Sequence, residues 1–337
     1  MEKIKAAIVG VGSISQVVHL PILLGMEEVE IKAICDLDLK KANVIAQKFH
    51  IPAVYELIDN MVRKEDLDVI FICTTSLYHF PMSYLALNSG IHVFVEKPIA
   101  LNSEDAGKLA VLAKKQKKHI MTGMQHRFRD DVQTLKEFIH NNELGELFYI
   151  KAGWLKKWSR TMAVDWQTNK QYSGGGVLID LGIQLLDLAM YITGMPEIHS
   201  VRLYDYKLNP GIKVEDAALA LIRTESNVII ALEMGWRMHL EKDLVYTNFF
   251  GNKGAAYLNP LRINKELHGN LVNVTPMSSE TSIERYKSAY EKEIRHFFDV
   301  IQGKEKNQSS AEDSVQIMKI IEALYKSSNT GEDVRIG

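Results

Sequence analysis

The sequence predicts an α/β chain: an N-terminal Rossmann-type, doubly wound parallel sheet, followed by an α+β domain built on a large, open, mostly antiparallel sheet. Three observations point there. Short β-branched runs alternate with helix-like segments through residue 123. A glycine-containing turn follows the first of those runs. From Leu147 onward, strand-like runs succeed one another, and some are joined by turn residues alone.

At 337 residues the chain exceeds one ordinary domain of ~100–200 residues, so two domains are expected, 1–123 and 124–337. Lys and Arg number 40 against 42 Asp and Glu, so no basic field points to nucleic acid or to an anionic membrane. Lys114-Lys115-Gln116-Lys117-Lys118 reads as a solvated helix end. Cys35 and Cys73 each fall near the end of a buried strand, where a free thiol serves as a small apolar residue, and a reducing cytoplasm is expected. The chain enters a strand directly after Met1, and no run of ~18 apolar residues is read that would cross a membrane.

Ile4 to Val9 is the first strand, and Gly10-Val11-Gly12-Ser13-Ile14-Ser15 follows it before an apolar helix. Gly10 permits the tight turn, Gly12 lets backbone approach a pyrophosphate, and Ser13 and Ile14 open a helix whose N-terminus favours the anion. Ser15 replaces the third glycine of this fingerprint, a position that serves close helix–strand packing. The strand Val29 to Cys35 ends at Asp36, 21 residues beyond Ser15 (36 − 15). A carboxylate there accepts hydrogen bonds from both adenosine ribose hydroxyls and repels a 2′-phosphate, which favours NAD over NADP. Its bland alternative is a helix cap, a role that suits Asp38 better.

The strand Asp68 to Cys73 releases Thr74 and Thr75, whose hydroxyls suit ribose or phosphate, and His79, read first as the cap of the helix that ends before Gly90. Ile91 to Val95 is a buried strand ending in Glu96-Lys97-Pro98. A lysine at the carboxyl end of a parallel strand can hold a hydroxyl or its proton, whereas the same three residues in isolation read as a solvated strand exit. The Lys97–Pro98 bond is a candidate for the cis form. Asn102-Ser103-Glu104-Asp105 caps a helix to about Lys118, and His119 to Gly123 is the next strand.

Met124 to Phe128 leave the sheet for a helix that reaches about Asn142. Strands follow at Leu147 to Gly153, Glu197 to Tyr206, Ala217 to Thr224, Val228 to Trp236 and Tyr246 to Phe250, with turns at Glu225-Ser226-Asn227 and Gly251-Asn252-Lys253-Gly254. After Gly174-Gly175-Gly176, which let backbone approach another surface, helical spacing puts Asp180, Gln184 and Asp187 on one face. Trp154, Trp158 and Trp166 with Lys156, Lys157 and Arg160 suit either a carbohydrate-like ligand or a core and its rim. Ile283 to Gln302 and Glu312 to Ser327 are amphipathic helices, and Val334-Arg335-Ile336 is a last edge strand.

Taken together, the Gly-x-Gly turn, Asp36, the turn from Thr74 to His79 and Val95-Glu96-Lys97-Pro98 resemble the Gfo/Idh/MocA oxidoreductase family, which includes glucose–fructose oxidoreductase and inositol dehydrogenases. Ser173 to Gly176 and Ser310-Ala311-Glu312-Asp313 extend the resemblance over essentially the whole chain. It implies an NAD(P) cofactor held by Gly10, Gly12, Ser13, Ile14, Asp36, Thr74, Thr75, His79, Glu96 and Lys97, with no metal. It also implies a secondary alcohol of a sugar, inositol or sugar derivative as substrate, and a homodimer or homotetramer formed through the second sheet. Lys97, Asp180 and a histidine one turn later surround the reacting hydroxyl in such families, and this chain has Gln184 at that last position. Glutamine takes no proton near neutral pH. Two rival readings follow: a regulatory protein that binds NAD(P) without turnover, and a hydrolase or epimerase that oxidises and re-reduces its substrate on retained cofactor.

Overall fold

A computed structural model describes residues 3–159, 166–277 and 281–336. They form two compact units, Met1–Met124 with Tyr290–Val315, and Gln125–Ala289 with Gln316–Gly337.

In the first unit six strands, β1 (Ile4–Val9), β2 (Val29–Cys35), β3 (Ala53–Tyr55), β4 (Val69–Ile72), β5 (His92–Glu96) and β6 (Ile120–Gly123), make one parallel sheet in the order β3-β2-β1-β4-β5-β6. The strand order reverses between β1 and β4, the place where such sheets put a ligand at their carboxyl edge. All four residues of β4 are buried, which is what helices on both faces require. Asp38 caps the helix Leu39–Phe49 by accepting from Lys41 N at 3.0 Å, and Asn102 caps Ser103–Gln116 by accepting from Asp105 N at 2.7 Å. The short β3 and the helix Ile58–Lys64 carry too little periodicity to be read from sequence.

The expected division at residue 123 treats the chain as two contiguous blocks, whereas the structure gives 290–315 to the first unit. Fully buried Phe297 lies 5.8 Å from the ring of Phe94 and 6.3 Å from that of Phe71, so this segment completes the core of the parallel sheet. Ser309 fastens it to β6: its carbonyl accepts from Thr122 N at 3.1 Å and its hydroxyl donates to Thr122 O at 2.6 Å. Periodicity marks the amphipathic helix Ser282–Ile301 but does not say which core its apolar side joins.

In the second unit nine strands run in the order β14-β13-β12-β11-β7-β10-β9-β8-β15. Their ranges are β7 Leu147–Lys157, β8 Ile198–Tyr206, β9 Ala217–Thr224, β10 Ile229–Met238, β11 Leu244–Gly251, β12 Gly254–Leu258, β13 Arg262–Leu267, β14 Asn270–Asn273 and β15 Val334–Arg335. Adjacent strands are antiparallel except β7 and β10, which pair in parallel because β8 and β9 intervene in the chain. Asn227, at φ +65°, and the run from Gly251 to Gly254 make the two turns expected, and the last edge strand pairs with β8. β13 and β14 were not expected, since their exposed polar residues hide the alternation.

One helical run among the described residues, Lys170–Ile192, is long and apolar enough to cross a membrane, contrary to the expectation of no such run; 94% of its apolar window is buried within the protein, against β7 and β10. The triple glycine before it allows close packing. A Cβ on Gly175 would lie 1.8 Å from the Tyr325 hydroxyl, and one on Gly176 would lie 2.0 Å from the Glu215 carbonyl. The surface these glycines approach is therefore this unit's own core.

Candidate active site

The turn after β1 is built for a close visitor. Gly10 sits at φ +88°, and a Cβ there would press on Cys73 O at 2.7 Å, so only glycine fits between the ends of β1 and β4. Gly12 differs: a Cβ on it would meet nothing within 4 Å, so the fold itself does not demand glycine there. Ser15, fully buried, donates its hydroxyl to Gly10 O at 2.5 Å, so the residue in place of the third glycine locks the turn. Ser13 and Ile14 lie in the first turn of the helix beyond it. At the end of β4 the buried hydroxyl oxygen of Thr75 has no hydrogen-bond partner, and Thr74 donates weakly to Thr75 O at 3.3 Å. The open cradle over Gly12 and the orphaned hydroxyl of Thr75 fit a dinucleotide.

Asp36 ends β2 at the same edge. Its Oδ2 accepts from Val11 N at 2.9 Å and pairs with Lys41 Nζ at 2.9 Å, while Oδ1 accepts from Asp38 N at 2.9 Å. The carboxylate thus ties the glycine turn to β2 and faces a lysine that sequence reasoning did not single out. Cys35, just before it, is held up at about 12 by burial and by the Asp36 charge, so it stays a thiol.

At the end of β5 the half-buried Lys97 precedes a cis Lys97–Pro98 bond, the form proposed from sequence. Two buried histidines brace this exit. His79 does not cap its helix; its Nδ1 lies 2.7 Å from Pro98 O and its Nε2 3.0 Å from Thr74 O, so it clamps the ends of β4 and β5 together. Burial holds its pKa below the ordinary value, although both carbonyls and the Glu96 charge oppose that shift. Both ring nitrogens thus lie against backbone carbonyls, and the neutral ring donates to one of them. His19, fully buried, places Nε2 2.8 Å from Glu96 Oε1. Burial would lower its pKa, but the facing Cys73 thiol and the Glu96 carboxylate raise it well above the ordinary value. Burial likewise opposes ionisation of Glu96, and His19 and Lys97 outweigh it to hold the carboxyl below its ordinary value. Both shifts favour the charged form of this pair. A lone histidine on an apolar helix gives no sequence signal of this.

The second unit carries its own polar cluster on the helix side of its sheet. Asp180 lies in a widened, π-helical turn, Leu178–Gly182, and its Oδ2 accepts from Trp236 Nε1 at 2.9 Å and lies 3.9 Å from Lys156 Nζ. Gln184 donates from Nε2 to Asp180 O at 3.0 Å, and its Oε1 is 3.5 Å from Gln125 Nε2. Asp187 is separated from this pair: it is buried in a bidentate bridge with Arg127. Trp154 stacks edge-on to His126 at 6.0 Å with Lys156 above it at 5.8 Å, and Arg237 lies over the exposed Trp158 at 5.8 Å. Trp166 is exposed, Lys157 N donates to Asp243 at 2.9 Å, and Arg160 falls outside the described residues. The structure thus brings Asp180, Gln184, Trp154 and Lys156 together, and adds Trp236, whose indole was read from sequence only as part of a strand. Among the described residues no group of three or more His, Cys, Asp or Glu side chains is placed to hold a metal.

Known proteins match this architecture end to end. Residues 4–124 match the oxidoreductase family model for an NAD-binding Rossmann fold, and residues 136–336 match the model for that family's C-terminal alpha/beta domain. The D-glucoside 3-dehydrogenase of Escherichia coli (strain K12) is 30% identical, covering 99% of this chain and 97% of that protein. The myo-inositol 2-dehydrogenase of Thermotoga maritima is 23% identical, covering 98% of each. A levoglucosan dehydrogenase solved with NADH and levoglucosan has a TM-score of 0.89 at 18% identity, covering 99% of this chain and 100% of that one.

Proposed function

The chain belongs to the Gfo/Idh/MocA oxidoreductase family, whose members join an NAD-binding Rossmann fold to a C-terminal alpha/beta domain, and from that premise we propose that it is a dehydrogenase for a secondary alcohol of a sugar, inositol or sugar derivative. The observation that carries this reading is the exit of β5: a lysine at the carboxyl edge of the sheet, followed by a Pro98 whose carbonyl His79 anchors, in the same unit as the open turn at Gly12. Such rigidity is what a proton-handling group needs and what a solvated strand exit does not. The named activities of the E. coli and T. maritima relatives support the substrate class.

In this reading Gly10, Gly12, Ser13, Ile14 and Thr75 receive the pyrophosphate and riboses, and Asp36 receives the adenosine ribose, with NAD preferred. Bound nicotinamide supplies the hydride acceptor. Lys97, as its neutral amine, accepts the proton of the substrate hydroxyl and becomes the ammonium. Asp180, fixed by Trp236 and approached by Lys156, orients the substrate, and Gln184 contributes an amide contact. Gln184 has no titrating role, because an amide takes no proton and this one already donates to Asp180 O. Trp154 and Trp158 offer aromatic faces to a sugar ring.

We assign the protein to the reducing cytoplasm, in keeping with two free buried cysteines. Its homo-oligomer forms through the open face of the second sheet, where Leu219 (36% exposed) faces Tyr204 (44%) across the strands and Leu221 (40%) stands beside them. Light scattering after size exclusion measures that assembly. The test of function is a screen of sugars, inositols and sugar acids with NAD and NADP, following the absorbance of reduced cofactor. Sustained NADH formation with a polyol supports the dehydrogenase; NADH binding without turnover by any of them supports a regulatory binder; retained nicotinamide without net NADH supports the transient-oxidation reading.

A further inference from the structure

We propose that His19 is a positioning residue of the nicotinamide site: its imidazole clamps the Glu96 carboxylate in place and so fixes both the charge and the strand end from which Lys97 departs. The inference rests on the dehydrogenase reading for the identity of the ligand, and on four observations in the first unit for the device itself. His19 has no exposed surface, and its ring is wedged against Phe71 at 5.9 Å and Phe94 at 5.5 Å, so it has one orientation available. Nε2 reaches Glu96 Oε1 at 2.8 Å, across 77 residues of chain. Glu96 is the last residue of β5 and adjoins Lys97, and its second oxygen lies beside β6, 3.3 Å from where a Cβ on Gly123 would stand. Finally, the charged and titratable groups near the pair include Cys73 from the end of β4 toward His19, Lys97 and His79 toward Glu96, and the buried Glu293, which accepts from Met124 N next to the Gly123 that pairs with Glu96.

A buried ion pair made only for stability is poorly justified, because well-packed apolar residues of similar volume serve a core as well or better. An anchored carboxylate at the carboxyl edge of the sheet does something an apolar pair cannot. It presents a carboxylate of fixed position whose charge is only partly offset at short range by the imidazole behind it, and which, as long as it stays ionised, favours the cationic oxidised nicotinamide over the neutral reduced one. His19 keeps that charge in place: without the imidazolium, the half-buried carboxyl loses its counter-ion and takes up a proton at higher pH.

The experiment compares NAD⁺ and NADH affinity across pH for the unmodified protein, His19→Phe, His19→Gln and Glu96→Gln, with circular dichroism as the check on folding. The NAD⁺-to-NADH preference of the unmodified protein should stay level into the acid range. In His19→Phe it should fall at a pH higher by about one to three units, the size expected when an opposite charge leaves a carboxylate. His19→Gln, which keeps a hydrogen bond without the charge, should show a smaller displacement, and Glu96→Gln should remove the dependence altogether. Should His19→Phe fail to fold, the displacement in His19→Gln and its disappearance in Glu96→Gln carry the same decision. A folded His19 variant whose profile superimposes on that of the unmodified protein overturns the positioning role while leaving the dehydrogenase reading intact. Absence of any nicotinamide binding overturns both.

Discussion

Arg127 and Asp187 form a buried bidentate ion pair, with Nε–Oδ2 2.9 Å and Nη2–Oδ1 2.5 Å and both side chains at most 3% exposed. The guanidinium also lies 4.8 Å over the Tyr191 ring, and Gln133 donates to the Arg127 carbonyl at 2.5 Å. This bridge sets the segment after β6 against the apolar helix that carries Asp180 and Gln184. Truncating either partner leaves a buried charge alone, so Arg127→Ala or Asp187→Ala should each cost about 3–5 kcal/mol, whereas the double replacement Arg127→Met with Asp187→Leu should cost clearly less than the two single losses combined. Chemical denaturation of the three variants measures this.

Cofactor choice follows from Asp36 and its neighbour. The unmodified protein should prefer NAD over NADP. Asp36→Ala should narrow that preference by roughly ten- to hundredfold, about 1.4–2.8 kcal/mol, because Lys41 then lacks its carboxylate and meets a 2′-phosphate. Asp36→Ala with Lys41→Ala should lose the NADP gain. Steady-state kcat/KM for both cofactors decides, and equal or better use of NADP by the unmodified protein would rule out the role given to Asp36.

A pH-dependent stability effect is expected at Glu215. Its Oε1 accepts from Gly176 N at 2.9 Å, Leu178 N at 3.2 Å and the Tyr325 hydroxyl at 2.8 Å, yet burial outweighs these bonds and raises its pKa. A carboxyl raised on folding favours the folded state when protonated, and that contribution is lost as pH rises from its unfolded value, about 4.3, through the folded one. Glu215→Gln retains an acceptor oxygen for the three donors and never ionises. Its melting temperature should equal that of the unmodified protein in acid and match or exceed it at neutral pH, while Glu215→Ala should melt lower throughout. Thermal scans at several pH values test this divergence.

Much of this was legible in the residues. The strand, glycine turn and carboxylate of β1 and β2 announce the first unit, because parallel strands buried on both faces leave continuous apolar runs. The Glu96-Lys97-Pro98 exit was visible as an anomaly, a charged end on a buried strand. What sequence did not supply were partners distant in the chain: His19 on Glu96, Trp236 on Asp180, Phe297 on the rings of β4 and β5. Spacing also misled once. Helical periodicity grouped Asp187 with Asp180 and Gln184, whereas the structure gives it to Arg127, because periodicity reports a shared face and not what covers it.

Gln184 tests where the proton goes. With its amide on Asp180 O, Gln184→His should retain activity with a modest change in pH dependence, and Gln184→Ala should chiefly raise KM for the substrate. A large gain of turnover in Gln184→His would instead show that the reaction needs a titrating base at this position.

Lys97 carries the central claim, and one comparison addresses it: NADH formation from NAD and a polyol by the unmodified protein and by Lys97→Ala, with NADH affinity of both measured alongside. The account predicts turnover in the unmodified protein, a loss of at least about 10²-fold in kcat for Lys97→Ala, in line with removal of a general acid–base group, and nearly unchanged NADH binding. Turnover that survives Lys97→Ala would contradict it.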